Sequence, residues 1–283
     1  MSEAEIRQLV TYNVDYVRKN YDAIYLRNFD KNFSSMQTKC VSASTVPASS
    51  LCIGNGSILL GTYDFENNRM YLYPENLNRV KIVYNDKDNK LAGRLVFHEM
   101  LHMISSDREL GVSGVNNKEE SHVALNEGIT EFFAFSAYRD TNLLHSSYVY
   151  ETLLVVQLAV IVGTKYISLS YFNYHNITTL KVLLSRYVSE EKADEFFTLL
   201  EQFYEDRTTK GDFSLLGKLQ LILSDAFKAK CNMFNISPDT VNYYKNYLIS
   251  NDLVNKSTGR ELNIPLLKES IDVVDSINVK RSK

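Results

Sequence analysis

The chain has 283 residues, is 45% hydrophobic and carries a net charge of −3; this is material for one large core or two modest ones, with no basic stripe suited to nucleic acid. Three cysteines, Cys40, Cys52 and Cys231, without CxxC spacing, argue against a disulfide framework and against a thiolate metal site. Such cysteine usage fits a reducing compartment.

The opening stretch, MSEAEIRQLVTYNVDYVRKN, has acids early and no apolar run of signal-peptide length, so a cytoplasmic location is the expectation. Ile6, Val10, Val14 and Val17 stand at helical spacing, which predicts an amphipathic helix from Ser2 to about Tyr21. From Asp22 to Val83 the texture changes to short runs of Tyr, Ile, Val and Leu broken by Asn, Gly and Ser, the pattern of strands. Ser57–Phe65 and Met70–Tyr73 read as a hairpin, joined by the polar residues from Glu66 to Arg69.

Leu91, Leu95, Val96, Met100, Leu101, Met103 and Ile104 then recur with helical period, and that helix carries His98, Glu99 and His102. Ser105 to Glu120 reads as a surface loop, and His122 to Arg139 as another helix. Helical runs follow at Leu180–Tyr187, Ala193–Tyr204, Leu215–Lys228 and Thr240–Ile249. The most apolar stretch, Leu153 to Val162, is broken by Gln157 and is shorter than the roughly 20 residues of a bilayer span, so no membrane span is expected.

The HExxH segment carries the chemistry. Histidines four apart on a helix share a face with Cβ atoms about 5–6 Å apart, close enough for both imidazoles to reach one ion. A hydrolytic zinc site needs three protein ligands and an open fourth position for water, and Glu99, beside the pair, is placed to take that water's proton. Candidates for the third ligand stand downstream. In ALNEGITE (Ala124–Glu131), Glu127 lies 25 residues after His102, and Glu131 follows one helical turn later; His122, flanking the same helix, is the alternative ligand.

With HEMLH followed by NEGITE, the chain resembles the gluzincin metallopeptidases, the thermolysin-like group, whose pattern is HExxH and then NExxx with an acid on a second helix. The resemblance spans about residues 91 to 139. It implies a zinc ion held by His98, His102 and Glu127, with Glu99 as general base. It also implies that Asn126 and Glu131 support the ligands from behind, Glu131, one helical turn after Glu127, orienting His98 by accepting its distal N–H. Many members carry Asp where Glu131 stands, so a longer arm must be accommodated.

The resemblance further implies that a Tyr or His stabilises the transition state; SLSYFNYH (Ser168–His175) offers Tyr171 first, then Tyr174 and His175. By the same resemblance an extended peptide would lie against an edge strand above the motif helix, and Ser57–Phe65, which precedes that helix in sequence, is the candidate edge; an ordinary internal hairpin is the other reading. The expected fold is therefore α+β and zincin-like: an N-terminal mixed α/β part with a small sheet and the HExxH helix (1–110), then a mostly helical part supplying the glutamate (111–283).

The function expected is hydrolysis of a peptide or protein substrate by a zinc peptidase. Endopeptidase action is favoured, because Cys52–Gly56 (CIGNG) lacks the Met-Glu pair that related aminopeptidases place upstream of the zinc helix. A regulatory protease with a single protein target and a non-catalytic zincin-fold binding protein are the alternatives. Glu99 speaks against the last, since a structural zinc site has no use for a base.

Overall fold

Ser2 begins the first helix, α1 (Glu3–Asn20), through a reciprocal cap in which its hydroxyl accepts from the Glu5 amide while the Glu5 carboxylate accepts from the Ser2 amide. Ile6, Val10, Val14 and Val17 are buried along one face, as their spacing predicts. The computed structural model describes residues 1–41, 52–53, 57–117, 120–138 and 146–235, so the helix expected at Thr240–Ile249 lies outside the described residues.

After a short helix, α2 (Phe29–Ser35), come the strands β1 (Gln37–Cys40), β2 (Cys52–Ile53), β3 (Ser57–Ile58), β4 (Gly61–Asp64) and β5 (Arg69–Leu72). They form a three-stranded sheet in the order β1-β5-β4 and a separate β2-β3 pair. β1 runs parallel to β5, whereas β4 runs antiparallel to it with Gly61 opposite Leu72 and Asp64 opposite Arg69. Met70 and Leu72 point into the core and Arg69 and Tyr71 do not, the two-residue period of a strand with one buried face.

The strand expected over Ser57–Phe65 is thus two strands with different partners. The break falls at Leu59, whose carbonyl accepts from the Asn76 side-chain amide and not from a neighbouring strand. The hairpin end is as expected, with Asn68 taking the left-handed φ of 51° that closes the turn.

Helix α3 (Pro74–Val83) starts with proline at its first turn, where a missing N–H costs nothing. The motif helix, α4 (Lys90–Ile104), has Leu91, Val96, Phe97, Met100, Leu101 and Met103 buried, along with Arg94 and His98. The segment after it is a correction to the expected surface loop. It forms a small hairpin of β6 (Ser106–Asp107) and β7 (Val112–Ser113), in which Ser105, Ser106 and Val115 are buried. Burial here has a cause: the Ser105, Ser106 and Ser113 hydroxyls all donate to the His102 carbonyl, and Asn32 donates to the Met103 carbonyl, satisfying the orphan acceptors at the end of α4.

The remaining helices are α5 (Val123–Tyr138), α6 (Val149–Val162), α7 (Thr164–Leu169), α8 (Thr178–Leu184), α9 (Glu190–Lys210) and α10 (Leu216–Met233). A wider π-type turn covers Ser170–Tyr174. The fold is mixed α+β and predominantly helical, with a small sheet. Contacts divide it into two units of three segments each: Met1–Ser121, Phe133–Asp140 and Tyr171–His175 in one, His122–Phe132, Thr141–Ser170 and Asn176–Lys283 in the other. The segments of the two units alternate along the chain.

The second unit is built on α6, which is apolar on every side and accordingly buried on every side. Lys230 of α10 donates its ammonium to the Val160 and Ile161 carbonyls at the end of α6. Glu151 of α6 is fully buried and pairs with Arg207 of α9. Among the described residues no single helix is long and apolar enough to cross a membrane.

Candidate metal centre

His98 and His102 stand one turn apart on α4 with their Nε2 atoms 3.3 Å from each other. Two ligands at about 2.05 Å from one ion, subtending a tetrahedral angle, are separated by about 3.3 Å, so the two atoms stand where one ion could reach both. Glu127 completes the set: its carboxylate oxygen and the two imidazole nitrogens all lie within 4.8 Å of one another. Two neutral imidazoles and a carboxylate are a donor set that suits zinc and leaves a position open. The alternative ligand, His122, is not part of this group.

His98 is 7% exposed, whereas His102 and Glu127 are half-buried, so the group has a buried side and an accessible one. Asn126 and Glu131, the other motif residues of α5, are both buried, Glu131 at 2% exposure. A carboxylate so enclosed needs compensation by hydrogen bonds or charge.

Glu99 lies on α4 beside the first residue of β4. A Cβ added at Gly61 would stand 2.8 Å from Glu99 Cγ, closer than any ordinary contact. Tyr73, just past β5, is buried in the same region, and burial, reinforced by the Glu99 charge, pushes its phenol pKa up. A phenol shifted in that direction stays protonated at neutral pH.

Helix α5 is placed by groups far away in sequence. The Glu201 carboxylate of α9 accepts from the Ala124 amide at 2.8 Å and the Leu125 amide at 3.1 Å, capping the start of the helix that bears Glu127. Burial raises the Glu201 pKa against the lowering effect of those amides. Gly128 lets α6 approach: a Cβ there would meet the Glu151 carbonyl carbon and oxygen at 2.9 Å. Tyr204, three residues after Glu201, has its pKa raised by burial first and by the Glu127 charge next, so its phenol also stays protonated.

The tyrosine singled out in the sequence is placed differently from an open cleft residue. Tyr171 is 0% exposed and packs in an aromatic cluster, its ring centroid 5.8 Å from Phe133 and 4.8 Å from Phe172. That is a core position within the π-type turn. Tyr174 is exposed. His175 is buried in a left-handed conformation with φ 51°, its Nδ1 3.0 Å from the Gly114 carbonyl, and burial lowers its pKa.

Gly61, Gly128, Tyr73, Glu201 and Tyr204 escaped the sequence reading. A glycine inside a strand pattern signals close approach of something else, which marks Gly61 but not what approaches. Glu201 and Tyr204 sit at helical spacing in a run read only for its apolar residues. Comparison with protein-family models, curated proteins and solved structures finds no match.

Proposed function

We propose that this protein is a zincin-like, zinc-dependent peptidase in which His98, His102 and Glu127 hold the metal and Glu99 is the general base. The observation that carries the reading is the ligand geometry: an Nε2 pair 3.3 Å apart with a carboxylate oxygen within 4.8 Å. Glu99 beside the pair supports hydrolysis over a purely structural site.

Zinc bound there would supply a Lewis acid that polarises the scissile carbonyl and acidifies the attacking water. The protein's residues do the rest. The Glu99 carboxylate takes the proton from that water and returns it to the leaving amine, which needs the same oxygen to serve as acceptor first and donor second. β4 is an edge of its sheet among the described residues and runs beside Glu99. A strand at that edge suits an extended peptide added as a further strand, which favours internal cleavage of a peptide or protein.

Glu99→Gln tests the assignment. The amide keeps the shape and the helix but accepts no proton, so zinc content should match the wild type while peptide hydrolysis falls by about 10²–10⁴-fold. Undiminished turnover in that variant would show that another group is the base.

A further inference from the structure

Gly61 is the first residue of β4, opposite Leu72 in the ladder, and it is buried. Its φ is outside the left-handed region, where Gly111, Gly114, Gly163 and Gly211 lie, so backbone conformation does not explain a glycine here. Space does. An added Cβ would stand 2.8 Å from Glu99 Cγ, 2.9 Å from Leu72 Cδ2 and 3.2 Å from the Tyr71 carbonyl oxygen.

The nearest of these is the stem of the general base, one bond from its carboxyl carbon. A strand that touches Cγ closes off one side of the Glu99 side chain and limits the staggered positions left to it. The Leu72 methyl can rotate away from a new Cβ; the Tyr71 carbonyl, fixed in the sheet, cannot. The Glu99 stem is then the part that must give way.

We infer that Gly61 is a positioning residue for Glu99: its missing side chain is the seat in which the base's stem rests, and this sets where the carboxylate points. The inference deepens the peptidase reading and rests on it for its catalytic consequence. The three atoms that a Cβ at position 61 would approach most closely belong to Glu99, Leu72 and Tyr71, and none to His98, His102 or Glu127. A side chain at position 61 is therefore expected to disturb proton transfer and spare metal binding, a misplacement on the order of 1 Å being worth up to about 10²-fold in rate.

The test is Gly61→Ala, read two ways in the full chain. With zinc loaded, kcat on a peptide substrate should fall about 10–100-fold, with KM and zinc stoichiometry within about twofold of wild type. An unchanged kcat, or equal losses in kcat and zinc content, overturns the inference. The second reading needs no activity: the urea midpoint of Gly61→Ala is compared in the wild-type and Glu99→Ala backgrounds, the latter lacking Cγ.

A smaller penalty in the Glu99→Ala background supports the seat, and so does a double variant that folds where Gly61→Ala does not. An identical penalty in both backgrounds, or failure of both to fold, overturns it. Coupling in this cycle with no hydrolysis by the wild type would leave the seat standing and remove the peptidase reading.

Discussion

Two imidazole Nε2 atoms 3.3 Å apart, with a carboxylate oxygen within 4.8 Å, present lone pairs to one another unless a cation or proton lies between them. In the proposed centre a cation takes that place, and this grades the roles that single residues should show. Glu127→Ala removes the proposed third ligand, whereas Glu131→Gln alters a buried group one turn away. Zinc affinity measured by chelator competition should drop by roughly 10–100-fold for Glu131→Gln and by more for Glu127→Ala. The reverse order would mean that Glu127 is not the third ligand. At this scale the grouping of His98 with His102 was legible because spacing alone dictates a shared helix face, and the approach of Glu127 was suggested by NExxx. Tyr171 was not: nothing in SLSYFNYH distinguishes a tyrosine that faces a cleft from one that fills an aromatic core, as Tyr171 does beside Phe133 and Phe172. Gly61 was visible as a glycine in a strand, but its meaning depends on Glu99, which folding brings to it.

Helix α5 shows how far an element can depend on residues remote from it. Its N-terminal amides are capped by Glu201, 77 positions from Ala124, where a sequence reader looks for Ser, Thr, Asp or Asn directly before the helix. The cap also has a pH signature. Burial raises the Glu201 pKa, so the folded protein binds this proton more tightly than the unfolded chain does. Stability from that group is therefore full below the ordinary carboxylate range and is lost as pH rises through the raised value. In urea unfolding, the stability difference between wild type and Glu201→Gln should shift against the wild type over that interval and stay level above it. A difference that is flat with pH would show that Glu201 titrates alike in both states. The amphipathic helices were legible from period, as in α1, α9 and α10. The split of Ser57–Phe65 was not, because it turns on the Asn76 side chain taking the Leu59 carbonyl. Nor was the burial of Ser105 and Ser106, which follows from their hydroxyls closing the end of α4.

Over the whole molecule, the mixed fold, a small sheet early and helices later, could be read from the change in texture along the chain. The interleaving of its two units could not, since the pieces at Phe133–Asp140 and Tyr171–His175 look like any other helical sequence. The buried Glu151–Arg207 pair was equally hidden: it links α6 and α9 across 56 positions, in runs whose apolar residues gave the only signal. What the chain as a whole is built to do comes down to whether it carries zinc at the proposed centre. The most direct measurement is the zinc content of the purified full-length protein beside that of the His98→Ala, His102→Ala variant, with folding of both checked by circular dichroism. The account predicts about one zinc per wild-type chain, as a single His–His–Glu site requires, and less than about a tenth of that in the folded variant. Equal zinc in the two proteins would contradict it.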